Sequence, residues 1–264
     1  MTDATECVQS ISLYPIKSLD PIQVPAARIL SSGALEHDRE FALFDAEGNW
    51  INGKRDARIH RIRAAYDLED LRVTLRVDNS TQETFHLLEN RREVEAWFGD
   101  FLGFPVLVKR NTTVGFPDDL ESPGPTVVGS GTLREVSAWL EIEEAQRTHR
   151  RFRPNIEISS ATPFWEDRLF GVADAKVEFR IGDVTVHGVN PCQRCVVPSR
   201  DPLTGSVTLD FQSRFAKKRE QTLPAWAAKA RFNHYYRLAV NTRIPVSEAG
   251  KVVRVGDLVC VPFG

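Results

Sequence analysis

Two cysteines three positions apart carry the densest chemistry in this chain. Cys192 and Cys195 stand in Asn190-Pro191-Cys192-Gln193-Arg194-Cys195, with Pro198 and Arg200-Asp201-Pro202-Leu203-Thr204-Gly205 behind them. The thiolate is the reactive and metal-binding form of cysteine, and a neighbouring cation favours it; Arg194 adjoins Cys195. Three uses of the pair are open. A structural zinc site needs four ligands, and with no second closely spaced pair only His187, Cys7 and Cys260 are available to complete one. A thioredoxin-like redox pair begins a helix, whereas Val196-Val197-Pro198 reads as extended. The third use is a single metal-bound thiolate, with the other cysteine in support. Free cysteines usually behave as buried small hydrophobes, but the prolines and polar residues around this pair describe a rigid polar loop rather than a core strand.

Groups suited to an anion recur at strand ends. Lys17 and Ser18 follow Tyr14-Pro15-Ile16, His37-Asp38-Arg39 precedes another strand, and Arg147, His149, Arg150, Arg151 and Arg153 crowd before Pro154-Asn155. Each alone is ordinary surface chemistry. Together they suit a phosphate, which arginine grips with a planar fork and lysine as a point charge. Only one or two of the five residues at 147–153 are expected to touch a ligand.

The elements that must position these groups are mostly strands. Val8 to Tyr14 alternates polar and apolar residues until Pro15. Arg39 to Phe44 leads through Glu47-Gly48-Asn49 to Trp50-Ile51, a hairpin, and Leu71 to Val77 pairs with Thr84 to Leu88 across Asp78-Asn79-Ser80. Arg92 to Leu102 takes helical spacing, and Pro105 to Val108 is a short strand. Gly115 to Pro125, with three prolines and acidic residues, reads as a linker. Thr132 and Glu135 have capping-box spacing at the start of a helix, and Asn155 to Ile158 is a strand. Gly182-Asp183 joins Val177–Ile181 to Val184–Val189 as a hairpin. Gln212 to Ala230 is helical with a break at Pro224, and Gly256-Asp257 joins Val252–Val255 to Leu258–Val261 as a closing hairpin. Short strands with tight turns and few helices predict a mainly β, α+β chain of β-barrel-like domains.

The 264 residues carry a net charge of -2, which argues against nucleic acid as the main partner. No apolar run is long enough to span a bilayer, and the N-terminus has no secretory pattern. Four cysteines are too few for a disulfide-stapled secreted fold. A cytoplasmic protein with no membrane partner is the expectation.

Taken together these motifs resemble the MOSC family, the molybdenum-cofactor sulfurase C-terminal type of domain, with its N-terminal β-barrel extension. Tyr14-Pro15-Ile16-Lys17-Ser18, Asp38-Arg39, Phe152-Arg153-Pro154-Asn155-Ile156, Cys192-Gln193-Arg194-Cys195 with Asp201-Pro202-Leu203-Thr204-Gly205, and Val255-Gly256-Asp257 match it in order across nearly the whole chain. The resemblance implies an N-terminal β-barrel-like domain over 1–120 and a MOSC β-barrel domain over 121–264. The well-understood relatives it points to are the mitochondrial amidoxime-reducing component and bacterial reductases of N-hydroxylated bases. It further implies that Cys195 ligates molybdenum in a molybdenum–molybdopterin cofactor (Moco), a soft ligand for such a centre. Lys17, Ser18, Arg39, Arg153 and Asn155 would bind the pterin and its phosphate. Gln193 and Arg194 would line the same loop, and Tyr235 and Ser122 match further contacts. Glu166 and Asp167 flank the expected cofactor mouth and are read as surface residues. The implied function is an oxidoreductase reducing N-hydroxylated or N-oxide compounds. With no cysteine cluster for an iron–sulfur centre, electrons would come from a separate ferredoxin or flavin reductase type of protein. The alternatives are a cofactor carrier or storage protein, or a sulfur carrier with a persulfide on Cys195. In every case Lys17 and Arg39 reach 153–195 only if the N-terminal strands pack against the C-terminal barrel.

Overall fold

The computed structural model describes residues 6–173 and 175–261. Residues 1–5 and 262–264, the ends on which the expectations of no leader and no appended domain partly rest, lie outside the described residues. The alternating strand Val8–Leu13 sits inside an eight-stranded sheet. The order across it is Val259–Cys260, Val177–Ile181, Val184–Gln193, Arg237–Arg243, Val127–Gly129, Ile156–Ile158, Val8–Leu13 and Ile22–Val24. Val127–Gly129 and Ile156–Ile158 run parallel, so they need a crossover. Two helices make it, α2 (Ser130–Leu140) and α3 (Ala145–Phe152), after α1 (Arg91–Leu102) earlier in the chain and before α4 (Phe211–Gln221).

Three smaller sheets complete a mainly β fold with four α-helices among the described residues. Phe41–Phe44 lies between Trp50–Ile51 and Leu107–Arg110, and Ile62–Asp67, Arg72–Val77 and Glu83–His86 form a meander. Ala26–Arg28 pairs with Val252–Arg254. Apolar burial follows space rather than chain order. Val8, Ile11, Leu13, Ala27 and Ile29 share a core with Val127, Ile156, Val184 and Val240. Ile16, Phe41, Leu43, Val73, Phe98 and Val108 form a second core, and Leu133, Val136, Phe152, Phe211 and Phe215 a third beneath the helices.

Four local expectations are corrected. The turn Gly256-Asp257 does not close a hairpin: Val252–Arg254 pairs with Ala26–Arg28, and Val259–Cys260 pairs with Val177–Ile181. The turn itself forms, with Gly256 at φ 91°, but Val8 clamps it, its N–H donating to Asp257 O at 2.9 Å and its carbonyl accepting from Gly256 at 2.8 Å. Helix α4 stops at Gln221, and only a 3₁₀ turn, Lys229–Arg231, follows. Thr132 lies inside α2 and does not cap it. Its hydroxyl accepts from Phe164 N–H at 2.6 Å and donates to Glu166 Oε2 at 2.7 Å, while Glu135 accepts from Trp139 Nε1 at 2.8 Å. The buried Glu166 also accepts from Gly129 N–H at 3.2 Å, so it serves the helix start that the local box would have served. Glu166 and Asp167 are therefore core groups, not surface ones, at 1% and 3% exposure. Burial, then Asp167, pushes the Glu166 carboxyl up to about 7; Asp167 pairs with the equally buried Arg219.

One glycine is dictated by close approach. A Cβ on Gly188 would lie 1.6 Å from Leu169 O, at the register shift where Val184–Gln193 bends against Arg237–Arg243. Gly188→Ala should cost about 3 kcal/mol by overpacking. Gly48→Ala, in an open turn at φ 81° with nothing within 4 Å, should cost only about 1 kcal/mol. Urea unfolding midpoints of the two variants check the order.

Candidate functional site

A cleft of about 880 Å³ opens between the two halves of the chain. Among the described residues its walls hold eleven lysines and arginines against four aspartates, in a chain whose net charge is -2. Such a concentration focuses a positive potential on whatever enters. Cys192 and Cys195 are on the same wall. The structure brings Lys17, Ser18, Arg39, Arg153, Asn155, Gln193, Arg194 and Cys195 together on this cleft, with Ser122 beside them. Tyr235 is not on it. Its ring stacks on Phe232 at 5.9 Å and packs against the first core, because apolar burial claims its face.

The N-terminal wall is built where Val8–Leu13 ends. Tyr14 is fully buried; its N–H donates to Asp38 Oδ1 at 3.0 Å and its hydroxyl to Pro154 O at 3.0 Å. The guanidinium groups of Arg153 and Arg39 lie 4.1 Å and 5.1 Å from its ring, a cation–π arrangement that holds two like charges near one another. Burial pushes the Tyr14 hydroxyl up to about 12, so it stays a donor. Arg39 also pairs with Asp38 and donates to Asn155 Oδ1 at 3.4 Å. Arg153 makes no hydrogen bond or ion pair among the described residues beyond its backbone N–H to His149 O. Asn155, by contrast, is largely committed: its amide donates to Ser12 O at 3.1 Å and accepts from Thr126 N–H at 3.2 Å. It pins the first strand to the C-terminal sheet at the cleft's edge.

Ser18, Arg39 and Arg153 share a feature that no motif announces. They have φ of 75°, 52° and 53°, the left-handed region that non-glycine residues enter at a cost. Strain of this kind persists where surrounding contacts over-determine it and gathers at functional sites.

The segment expected to be a linker also forms part of the wall. Lys17 Nζ donates to Phe116 O at 2.7 Å and to Asp118 Oδ1 at 2.8 Å, and lies 4.2 Å from the Trp50 ring. Burial lowers the Lys17 ammonium to about 8, with Asp118 acting in the other direction.

The cysteines lie at the end of Val184–Gln193. Arg194 Nη1 donates to Cys192 Sγ at 3.0 Å and Nη2 to Phe152 O, so this guanidinium addresses Cys192 rather than its other neighbour, Cys195. Val197–Ser199 is a 3₁₀ turn entered through a helical Val196, not the extended run expected. Three residues of 3₁₀ still do not make the helix start of a thioredoxin-like pair. Arg151 secures the loop from below, donating to Pro198 O at 3.0 Å and Arg200 O at 2.7 Å. Among the described residues no group of three or more His, Cys, Asp or Glu could hold a metal ion. Cys7 bonds to Ser159 Oγ at 3.2 Å instead.

Sequence reasoning missed Tyr14 as the platform under two arginines, and missed His60, Arg63 and Arg200 on the walls. The Tyr14 signal was present, since it heads a noted motif. His60 and Arg63 carry no motif; only the approach of the meander to the cysteine loop, through Arg63 Nη2 to Pro202 O at 3.2 Å, places them.

Residues 5–105 match the MOSC N-terminal beta barrel domain and residues 127–260 match the MOSC domain. The chain belongs to the MOSC family. The MOSC chain is 26% identical to a molybdenum cofactor sulfurase from Arabidopsis thaliana over 75% of its own length and 30% of that protein's. It is 25% identical to mitochondrial amidoxime reducing component 2 from Bos taurus, over 76% of its length and 68% of the relative's. It is likewise 25% identical to mitochondrial amidoxime-reducing component 1 from Homo sapiens, over 75% and 67%. The chain thus spans about a third of the sulfurases it matches. The break between the two MOSC matches falls on the segment that folds over Lys17.

The charge state of Lys17 sets a pH dependence. Its ammonium is present below about 8 and lost above it, so affinity for an anion at this end should fall by up to about tenfold per pH unit above 8. Titration with sulfate, whose own charge is constant from pH 7 to 10, checks this. Lys17→Met should remove the step.

Proposed function

We propose that this MOSC chain binds molybdenum–molybdopterin in the cleft and is an oxidoreductase that reduces N-hydroxylated or N-oxide compounds. The observation that carries the reading is the meeting, on one cleft, of a thiol pair with a wall dominated by cations from both halves of the chain. The fit is chemical: fixed donors for a phosphate and polar heterocycle edges, and a thiol for a soft metal, with no competing all-protein metal set among the described residues. Amidoxime-reducing components among the relatives support the same reading.

When bound, the cofactor would supply two-electron transfer and an oxygen-accepting metal centre. This chain's residues bind and orient. Cys195 offers the ligating thiolate, and Lys17, Ser18 and Arg39 offer the phosphate a lysine, a hydroxyl and a guanidinium. Arg153 and Gln193, with the less available Asn155 amide, face the remaining polar edges. Arg194 holds Cys192 and so fixes the loop carrying Cys195. Reduction of an N–OH group consumes two electrons and two protons and releases water. The electrons are assigned to a separate ferredoxin or flavin reductase type of protein, and the substrate to a small N-oxygenated compound. Two domains meeting near 120/121 and a cytoplasmic location complete the proposal. No helix among the described residues is long and apolar enough to cross a membrane.

A second reading, a carrier of cofactor or persulfide sulfur without turnover, draws on the sulfurase relatives and on a second thiol, Cys192, held by Arg194 beside Cys195 on the cleft.

Protein purified from a molybdenum-replete host should contain about one molybdenum and one pterin per chain. It should reduce an amidoxime with a chemical electron donor. Cys195→Ser should lose at least about tenfold of the metal, as expected for loss of a direct ligand, while Cys192→Ser retains most of it. Full molybdenum content in Cys195→Ser sinks the ligand assignment. Bound cofactor without turnover favours the carrier, and labile sulfur without molybdenum favours the persulfide.

A further inference from the structure

The cleft holds two groups of cations, and carboxylates pair more of one than of the other. Around Lys17, two of three cations are paired, Lys17 with Asp118 at 2.8 Å and Arg39 with Asp38, while Lys54 has no carboxylate partner among the described residues. The second group, on the same cleft, is Arg63 and Arg200, whose charges act on His60, with Arg150, whose charge acts on Arg63. The charges acting most on Lys17 are Asp118, Arg39 and Lys54, whereas those acting on His60 are Arg153, Arg200 and Arg63. The two groups are therefore electrostatically separate neighbourhoods, bridged by Arg39 and Arg153 on the Tyr14 ring.

In the second group, Asp20 is the single carboxylate paired with an arginine among the described residues, 3.0 Å from Arg63. The other Arg63 contacts are the carbonyls of His60 and Pro202. Arg200 makes one long bond, 3.4 Å to Gly205 O, and its buried Nε has no partner. Arg150 makes no side-chain hydrogen bond or ion pair among the described residues. Burial and then Arg150 lower the Arg63 guanidinium, and burial with Arg153 and Arg200 keeps His60 neutral.

A structural role accounts for Arg63, which ties the meander to the cysteine loop. It does not account for Arg150 or Arg200. Three guanidinium groups from three distant segments line one cleft at a net cost in mutual repulsion. An anion with several oxygens relieves that cost through charge-assisted bonds.

We infer that Arg63, Arg150 and Arg200 form a second anion subsite in the cleft, for a phosphate group other than the one met at Lys17. The inference rests on the cleft being a ligand site but not on which reaction it serves. The phosphate belongs either to a phosphorylated substrate or to an extended, nucleotide-bearing form of the cofactor.

Titration of the purified chain with cytidine monophosphate, using cytidine as the phosphate-free control, tests it. The monophosphate should bind at least about tenfold more tightly than cytidine. Arg150→Gln and Arg200→Gln should each remove most of that difference, while Arg28→Gln, at an exposed pair far along the chain, stays within twofold. Arg150 is only half-buried and unpaired, so its variant should fold; unfolding midpoints confirm this for both. In protein whose acid release shows no bound nucleotide, equal affinity for monophosphate and cytidine, or no response to either variant, overturns the subsite. The source follows from acid release: one nucleotide per pterin identifies the cofactor, and none, with monophosphate still binding the molybdenum-loaded protein, identifies a substrate. Arginine-dependent phosphate binding without any molybdenum or pterin refutes the cofactor reading and keeps the subsite. Molybdenum and pterin without arginine-dependent binding does the reverse.

Discussion

The pairing of Val8–Leu13 with Ile156–Ile158 is the constraint on which the site depends. One ladder sets the first strand of the chain into a sheet otherwise made mostly by its second half. Its apolar face, Val8, Ile11 and Leu13, completes that sheet's core, and a slip of one residue would turn those side chains outward. Register fixed in this way delivers Tyr14 to the end of the strand and places Lys17 and Arg39 opposite Arg153 and the cysteine loop. Asn155 reinforces the join, with its carbonyl accepting from Ser12 N–H at 2.7 Å and its amide donating to Ser12 O.

Bringing the halves together forces cations into a partly desolvated space, which is costly unless each finds a partner. Three devices offset the cost. Carboxylates pair Lys17, Arg39 and Arg63. The Tyr14 ring lies within cation–π reach of Arg39 and Arg153. Backbone carbonyls receive Arg151 and Arg194. What is left over, chiefly at Arg150, Arg153 and Arg200, is capacity for an anionic ligand. The left-handed backbone at Ser18, Arg39 and Arg153 belongs to the same economy, since ladder and core hold a strained geometry that aims side chains into the cleft.

Much of this was legible locally. The strands ending before Pro15, the hairpin at Gly182-Asp183 and the helix Arg91–Leu102 follow from period and turn chemistry. Where local signals failed, a distant partner had won. Gly256-Asp257 is a sound turn, yet its flanking strands join different sheets because Val8 and Ala26–Arg28 compete for them. Thr132 and Glu135 have the spacing of a cap, yet the Glu166 carboxylate, thirty-four positions from Thr132, takes the bond.

The sequence by itself determined which chemistry is on offer, because residue type is chemistry: two thiols in a polar loop, basic groups at strand ends, and the MOSC motifs in order. It could not say which of these groups share a space. That Tyr235 turns to the core, that the expected linker closes over Lys17, and that Arg63 and Arg200 join the cysteine wall depend on contacts between residues far apart in the chain. Burial and strand pairing decide those contacts, and no short window of sequence contains both partners.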